Sequence, residues 1–263
     1  MELEQISKNI RKSIVTMNAK SFASHSGTAL SAVDILSVLY FKIMNVDVNN
    51  PKLLNRDKFI LSKGHGSSAL YGTLAEKGFF DKKLLEGFYL DNGLLPGHLD
   101  KEAVPGVEVS SGSLGHGLSL GIGMSIANKV DKLDGHVYVM CGDGELDEGS
   151  VWEAIMLAPH KNLDNLTLII DYNKLQGYGN TNEVINLEPL HEKFKAFNWN
   201  VIEINGHDFQ EIEQALIAIA DKPKVIIAHT IKGKGVSFME NEFVWHYKSP
   251  NEEQLKQALE ELS

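Results

Sequence analysis

This sequence of 263 residues has only one cysteine, no long hydrophobic run and no excess of positive charge. Its single cysteine, Cys141, excludes a disulfide within the chain and favours a reducing compartment. No window approaches about 18 uninterrupted apolar residues, so a membrane-spanning helix is not expected. The formal net charge of −10 argues against a nucleic-acid surface and against an anionic membrane surface as partners.

The N-terminal segment, MELEQISKNIRKSIV, is charged and amphipathic and contains no apolar core of signal-peptide length. Together with the single cysteine, it favours a cytoplasmic protein. The length suits one large domain or two small ones with a substantial core, and the 43% apolar content is ordinary for a globular protein.

Strand-like and helix-like segments alternate along the second half of the chain. Continuous apolar runs predict strands, and the segments between them have helical periodicity. The predicted strands are 57–61, 136–143, 165–173, 200–206 and 224–233. The predicted helices are 3–22, 31–44, 64–78, 115–130, 149–161, 208–220 and 252–263. This order predicts an α/β fold, a central and mainly parallel sheet with helices on both faces, and such sheets bind ligands beyond the carboxyl ends of their strands.

A long segment of the first half has no regular pattern. The sequence GLLPGHLDKEAVPGVEVSSGSLGHG, residues 93–117, is rich in Gly, Pro and Ser. An ordered loop of this length is usually functional, and its glycines suggest backbone lying close to a ligand.

Four carboxylates lie at the end of the predicted strand 136–143 and just after it, in the sequence GDGELDEG: Asp143, Glu145, Asp147 and Glu148. In one interpretation they mark a strand-to-helix turn, with acids near the start of the next helix. In another, Asp143 pairs with Asn173, which ends the next predicted strand 30 residues later. Adjacent parallel strands would then place a carboxylate, an amide oxygen and a backbone carbonyl together, a set suited to Mg²⁺ or Ca²⁺ on a phosphate.

The stretch GDGELDEGSVWEAIMLAPHKNLDNLTLIIDYNK resembles the thiamine-diphosphate signature, which begins with GDG and closes with Asn about thirty residues later. Four further segments resemble transketolases: SHSGTALSAVDIL, DKFILSKGHGSSALY, LPGHLDKEAVPGVEVSSGSLGHGLSLGIGMSIA and HTIKGKGVSF with WH after it. They follow the family's order over residues 21–247. The chain therefore resembles the N-terminal, diphosphate-binding domain of a transketolase, as a single domain of thiamine-diphosphate-binding fold over residues 1–263.

The resemblance implies thiamine diphosphate as cofactor and Mg²⁺, or Ca²⁺, as its metal. It implies Asp143, Asn173 and the backbone carbonyl of Leu175 as metal ligands. Contacts to the cofactor are implied for His65, Gly112, Leu114, Gly142, Asp143, Gly144 and Asn173. His25, His98 and His246 would face the substrate channel, where they would bind hydroxyls or transfer protons. Glu148 would lie at a subunit interface and support the carboxylate that activates the cofactor's aminopyrimidine.

Other polar and aromatic residues are predicted to have ordinary roles. Glu145 and Asp147 receive no site role. Lys232 and Lys234 could steer a phosphate, but solvated loop lysines are the commoner case and are expected here. Trp152 and Trp245 are predicted to pack in the core. Six histidines are expected to be structural or surface residues: His116, His136, His160, His191, His207 and His229.

Several positions differ from those usual in the family. Ser26 and Thr28 stand where prolines are frequent, and Ser113 and His116 stand where Pro and Gln are frequent. Tyr247 replaces a usual Gly after the predicted channel residue His246. These differences point away from the common sugars, towards branched, deoxy or sulfonated ketoses.

The resemblance also implies what this sequence lacks, namely a pyrimidine-binding domain with its activating glutamate. We therefore expect a split transketolase, inactive alone, that pairs with a C-terminal transketolase subunit in an α2β2 assembly. With that partner it would transfer a two-carbon ketol group from a phosphorylated or otherwise anionic ketose to an aldose. The alternatives are the alpha subunit of a 2-oxoacid dehydrogenase, deoxyxylulose-phosphate synthase, and a noncatalytic interaction module that retains the fold.

Overall fold

A computed structural model describes residues 2–263 of the chain. The strands are β1 (Lys58–Leu61), β2 (Val137–Gly142), β3 (Leu166–Tyr172), β4 (Leu175–Gln176), β5 (Gly179–Asn180), β6 (Asn200–Asn205) and β7 (Lys224–His229). The α-helices are α1 (Leu3–Ser21), α2 (Ser26–Ser31), α3 (Val33–Val38), α4 (Ser67–Lys77), α5 (Gly117–Val130), α6 (Gly149–His160), α7 (Thr181–Val184), α8 (Leu190–Ala196), α9 (Phe209–Ile217) and α10 (Glu252–Glu261).

The central sheet has the strand order β1-β2-β3-β7-β6, and each neighbouring pair is parallel. Its residues alternate between two apolar clusters. Tyr138 and Met140 of β2 join the cluster that contains residues of α1, α3, α4 and α9. Val137 and Val139 join the cluster that contains residues of α5 and α6. The predicted α/β fold, with a parallel sheet covered on both faces, is confirmed.

The predicted helix over 31–44 is wrong in its bounds. Helical structure already begins at Ser26, is interrupted at Ala32, and ends in a π-helical turn over Leu39–Ile43. At the interruption, the Ser31 hydroxyl donates to the Thr28 carbonyl at 3.0 Å. Such a bond offers the backbone an alternative partner within the helix, and it favours a local break.

The helix predicted over 208–220 ends earlier, at Ile217. Asp208 caps its start by accepting hydrogen bonds from the backbone N–H groups of Gln210 and Glu211. At its end, the Lys224 ammonium binds the carbonyls of Ala215, Leu216 and Ala218 at 2.8, 2.7 and 3.0 Å. A buried cation thus satisfies the carbonyls that the helix leaves free.

Residues 174–199 carry no predicted element, yet they contain the β4–β5 hairpin, α7 and α8. Each of these elements spans only two to seven residues. Hydrophobic periodicity needs a longer window to become visible, so these elements have no clear signal in the sequence. The irregular segment 93–117, in contrast, is confirmed, because helix α5 begins only at Gly117.

A buried polar cluster ties the helical layer to the loop that follows β7. Arg11 forms a two-pronged ion pair with Asp34, at 2.9 and 2.7 Å, and donates to the Lys234 carbonyl at 3.0 Å. His207 bonds to the same carboxylate at 2.8 Å and accepts from the backbone N–H of Ile231 at 2.8 Å. Burial alone would raise the pKa of Asp34, but His207 and Arg11 hold it at about 2. The loop is thereby anchored at two backbone positions.

None of the helices in residues 2–263 combines the length and the apolar character needed to cross a bilayer.

His136, at the start of β2, makes stability sensitive to acid. Its Nε2 atom lies 2.8 Å from the Thr167 hydroxyl, and burial lowers its pKa from 6.5 to about 4. The unfolded chain therefore binds a proton before the folded one does. The resulting stabilisation is fully present above pH 6.5 and is lost as the pH falls towards 4. We expect a total loss of at most about 3 kcal/mol in the free energy of unfolding, at about 1.4 kcal/mol per pH unit.

Urea unfolding of His136→Gln between pH 7 and pH 4 tests this expectation. The variant should show a shallower fall in stability than the wild type, while His160→Gln, at an exposed position, should keep the wild-type slope. Equal slopes for His136→Gln and the wild type would contradict the assignment.

Candidate active site

A cavity of about 480 Å³ lies beyond the carboxyl ends of β1, β2, β3 and β7. Every residue for which the sequence predicts a site role lines it: His25, His65, His98, Gly112, Leu114, Gly142, Asp143, Gly144, Glu148, Asn173, Leu175 and His246. A larger groove of about 640 Å³ lies elsewhere, around Leu3, Phe41 and Phe209. We place the site in the smaller cavity because the predicted site residues meet there.

Asp143 and Asn173 follow neighbouring strands, as predicted. Strands β2 and β3 are paired in register up to Gly142 and Asp171, so the two residues leave the sheet side by side. The Asp143 carboxylate accepts the backbone N–H groups of Gly144 at 2.8 Å and Lys174 at 2.5 Å. It thereby joins the turn after β2 to the turn after β3. Burial, and then the charge of Asp171, raises the pKa of Asp143 to about 6.

The oxygen atoms available here fit a hard divalent cation. Asp143 and Asn173 are both buried, at 3% and 6% exposed, and the Asn173 side-chain oxygen accepts the Leu175 N–H at 3.1 Å. The Leu175 carbonyl accepts a hydrogen bond from the Lys232 ammonium at 2.9 Å, so a positive charge already lies against it. Carboxylate, amide and carbonyl oxygens are the ligands that Mg²⁺ and Ca²⁺ prefer, and so few protein ligands leave positions for phosphate oxygens.

Three imidazoles meet at the inner wall. The His25 ring centroid lies 5.1 Å from that of His65 and 4.9 Å from that of His246, and the last two lie 5.3 Å apart. Burial lowers the pKa of His25 to about 4 and that of His246 to about 3, and it lowers the pKa of His65 well below its usual value. At neutral pH these rings are uncharged, so each can both donate and accept a hydrogen bond.

His25 has an unusual backbone conformation, with φ at 71°. Its N–H group donates to the His246 carbonyl at 3.1 Å, which ties the start of α2 to the turn over Phe243–His246. A left-handed conformation is uncommon for a residue other than glycine and persists only where the surroundings hold it. It directs the His25 ring towards the other two histidines.

Lys232 is 1% exposed, so the expectation of a solvated loop lysine is wrong for it. Besides binding the Leu175 carbonyl, its ammonium lies 3.3 Å from Nδ1 of His246. Burial lowers the pKa of Lys232 to about 8. Lys234, two residues later, is half-buried and pairs with Glu240 at 3.4 Å. The backbone of the loop sends one lysine inward and the other outward.

A second buried lysine lines the cavity, and the sequence reasoning missed it. Lys63, in the SKGHG segment after β1, forms an ion pair with Asp171 and donates to the Thr28 carbonyl at 2.8 Å. The Asp171 carboxylate also accepts hydrogen bonds from Ser31, at 2.5 Å, and from Thr230. Asp171 therefore connects the ends of β1, β3 and β7 with helix α2.

Glu145 connects two loops. Its carboxylate accepts a hydrogen bond from Ser62 and bonds from the N–H groups of Gly115 and Gly142 at 2.9 and 3.2 Å. It is 2% exposed. The acid to which no role was assigned thus holds the irregular segment 93–117 against the turn after β2, where Gly112 and Leu114 line the cavity.

The outer rim carries Glu148 and His98, both exposed to solvent. Glu148 directly precedes α6, and its side chain is free to meet another chain. The Gly112 backbone approaches His98 closely: a Cβ atom added at Gly112 would lie 3.2 Å from its ring. The rim is therefore open on the side that these two residues face.

Tyr247 also lines the cavity. Its hydroxyl donates to the Gly177 carbonyl at 2.9 Å, and its ring packs on His246 with centroids 5.0 Å apart. A Cβ atom at Gly177 would lie 2.6 Å from that hydroxyl, so a larger residue there would displace the Tyr247 side chain. Tyr247, which replaces the usual glycine, thus joins the β4–β5 hairpin to the turn over Phe243–His246. Its side chain narrows the cavity.

The tryptophans and histidines predicted to have ordinary roles do not line the cavity. Trp245 is buried against Phe238, and the Trp152 indole donates to the Leu146 carbonyl at 2.8 Å. His207 belongs to the buried Asp34 cluster. His191 and His229 both bond to Glu203, at 2.7 and 2.9 Å.

Comparisons with known proteins agree with this geometry. The family described as "Transketolase, thiamine diphosphate binding domain" matches residues 3–262. An apulose-4-phosphate transketolase subunit from Phocaeicola vulgatus is 45% identical over 264 residues, which cover 99% of this chain and 94% of that protein. The 6-deoxy-6-sulfo-D-fructose transketolase subunit SqwG of Clostridium sp. (strain MSTE9) is 42% identical over 266 residues, covering 100% and 96%.

A comparison of structures also finds a transketolase. The crystal structure of transketolase from Campylobacter jejuni superimposes with a TM-score of 0.93 at 33% identity, covering 100% of this chain and 43% of that one. The chain thus spans nearly all of the two subunits but less than half of the longer transketolase. It belongs to the transketolase family, of which it is a thiamine diphosphate binding domain.

Proposed function

We propose that this chain is the diphosphate-binding subunit of a two-chain transketolase. With a second chain it would transfer a two-carbon ketol group from an anionic ketose to an aldose. The observation that carries the proposal is the convergence of all twelve predicted site residues on one cavity at the carboxyl edge of the sheet. Residues that are far apart in the sequence meet there with the donors that a metal and a diphosphate need.

The inner end of the cavity would hold the metal and the diphosphate. We assign the metal to Asp143, Asn173 and the Leu175 carbonyl, with Mg²⁺ as the first choice and Ca²⁺ as a second. Gly142 and Gly144 would let the backbone approach the diphosphate. His65 would donate a hydrogen bond to the diphosphate, and the buried Lys63 and Lys232 would balance its charge. Bound thiamine diphosphate would supply the electron sink that carbon–carbon bond cleavage needs.

The remaining residues would handle the rest of the cofactor and the sugar. Gly112 and Leu114 would lie against the cofactor's rings. His25, His98 and His246 would bind sugar hydroxyls, and a neutral imidazole at any of these positions could move a proton. Imidazoles suit this role at neutral pH because each presents one donor and one acceptor.

The sugar itself is proposed from the relatives and from Tyr247. Two relatives are named for anionic ketoses, apulose-4-phosphate and 6-deoxy-6-sulfo-D-fructose. Tyr247 narrows the cavity where a glycine would leave it wide. We propose an anionic ketose donor outside the common set, with a branched, deoxy or sulfonated skeleton.

A second chain is needed to complete the site. The Phocaeicola vulgatus and Clostridium relatives, which this chain spans almost completely, are named as subunits, and the rim at Glu148 and His98 is open. We propose that a C-terminal transketolase subunit covers this rim, with its activating carboxylate beside Glu148, in an α2β2 assembly. The free and buried thiol of Cys141 suits the cytoplasm, where we expect this assembly to act.

Thermal unfolding tests the proposal. Thiamine diphosphate with Mg²⁺ should raise the unfolding temperature of the chain mixed with its partner, by more than either additive alone. At a ligand concentration of 100 times the dissociation constant, the stabilisation should be about 2.7 kcal/mol. If the ligand pair gives no shift, with or without the partner, the interaction module becomes the better hypothesis.

A further inference from the structure

Lys232 binds the same carbonyl that the proposed function assigns to the metal. Its ammonium donates to the Leu175 oxygen at 2.9 Å. The side chain is 1% exposed, so this contact is shielded from water. The three oxygen ligands proposed for a divalent cation thus include one that a protein cation already occupies.

The backbone of Lys232 is fixed on both sides, while its ammonium lies at the end of a flexible stem. Its carbonyl accepts the N–H of Asn241 at 2.9 Å, and the N–H of the next residue, Gly233, donates to the Gly27 carbonyl at 2.9 Å. On the other side, the N–H of Ile231 is held by His207. A lysine side chain anchored in this way can move its charge within the cavity without any change in the loop.

Two buried lysines lie among buried carboxylates at the inner end of the cavity. Lys63 pairs with Asp171, and both side chains are at most 1% exposed. Lys232 and Asp143 attract each other across the cavity floor. A bare divalent cation would lie beside two buried ammonium groups that repel it. A cation that arrives with a diphosphate brings its own negative charge.

We propose that Lys232 takes the place of the metal at the Leu175 carbonyl until a diphosphate is bound. The site then accepts the divalent cation only together with the diphosphate. When the diphosphate enters, the Lys232 ammonium leaves the carbonyl and turns to the phosphate oxygens. This inference rests on the proposed function, and it makes Lys232 a residue that couples the binding of the two ligands.

The experiment measures Mn²⁺ binding to the full chain by electron paramagnetic resonance, with and without thiamine diphosphate. Mn²⁺ is used because it prefers the same oxygen ligands as Mg²⁺. In the wild type, thiamine diphosphate should tighten Mn²⁺ binding by about tenfold or more, as coupled sites do. Lys232→Met should bind Mn²⁺ alone about tenfold more tightly than the wild type, and the diphosphate should enhance its binding less.

Two further variants complete the design. Lys234→Met removes the neighbouring lysine that points away from the cavity, and it should behave as the wild type. Lys232→Gln removes the same charge but keeps a polar side chain. It replaces Lys232→Met in the titration if that variant does not fold. All titrations are repeated with the partner chain present.

The outcomes separate the two proposals. If the wild type binds Mn²⁺ with thiamine diphosphate, but Lys232→Met and Lys232→Gln bind Mn²⁺ alone no better than the wild type, the role of Lys232 is overturned and the proposed function stands. If the wild type binds no Mn²⁺ with thiamine diphosphate in either setting, both proposals fail together.

Discussion

Replacing Asp143 with Asn is expected to abolish the stabilisation that thiamine diphosphate and Mg²⁺ give to the chain and its partner. The substitution keeps the size of the side chain but removes the only carboxylate among the proposed metal ligands. An amide oxygen carries no net charge, so it binds a hard divalent cation far less strongly. The full stabilisation of about 2.7 kcal/mol, at 100 times the wild-type dissociation constant, should disappear.

Without ligands, Asp143→Asn should remain folded. An Asn oxygen can still accept one of the two backbone hydrogen bonds, and the buried charge beside Asp171 is gone. Leaving the second N–H group unpaired costs about 1–3 kcal/mol, and the removal of the buried charge offsets part of this cost, so the ligand-free variant should unfold at a moderately lower temperature at most.

The control is Asp131→Asn, which removes one carboxylate from an exposed position after α5. Thermal unfolding of both variants, with and without ligands, separates a lost metal ligand from a change in net charge. A ligand shift retained in Asp143→Asn would contradict the proposed metal site.

The part of the site that the sequence predicts best depends on neighbouring strands. Asp143 and Asn173 directly follow β2 and β3, and consecutive parallel strands are usually neighbours in a sheet. Their proximity therefore follows from order along the chain. The structure adds that Lys174, between Asn173 and Leu175, donates its N–H to Asp143.

The lysines are harder to predict because their positions depend on the order of strands in the sheet. Strand β7 lies next to β3, although β6 precedes it in the chain. Only this order brings the segment that follows β7 beside the metal ligands, and so buries Lys232. In composition, IKGKG looks like a solvated loop. The sequence does carry one signal, because Lys232 lies beside a glycine just beyond a buried strand, as Asp143 does in the GDG turn.

Short elements and side-chain clusters account for the other misses. The break at Ala32 and the β4–β5 hairpin arise from local hydrogen bonds and from tertiary contacts, such as that between Tyr247 and Gly177. An isolated two-stranded hairpin is barely stable in water, so its position depends on the residues around it. Periodicity carries no information about such contacts.

The purified chain alone is expected to show no ketol transfer. Addition of the C-terminal subunit should produce ketol transfer activity. The cavity contains groups for a metal, a diphosphate and sugar hydroxyls, but its rim is open at Glu148. We expect the partner's carboxylate, supported by Glu148, to perform the proton transfer that activates the cofactor. General acid–base steps of this kind contribute about 10²- to 10⁴-fold to a rate.

Glu148→Gln tests this role within the assembled enzyme. Because the variant keeps the shape of the side chain and the metal site, it should still bind thiamine diphosphate and still assemble with the partner. Its rate of ketol transfer should nevertheless fall by about 10²-fold or more. Glu260→Gln, near the end of α10 and far along the chain from the site, should retain the wild-type rate.

The assay uses apulose-4-phosphate and 6-deoxy-6-sulfo-D-fructose as donors, with cofactor binding and assembly measured on the same samples. A lower rate with unchanged binding and assembly would assign Glu148 to the chemistry, because a residue with a merely structural role would weaken all three. Ketol transfer by the chain alone at a rate near that of the mixture would refute the need for a second subunit. In that case the activating group would have to come from this chain or from a second copy of it.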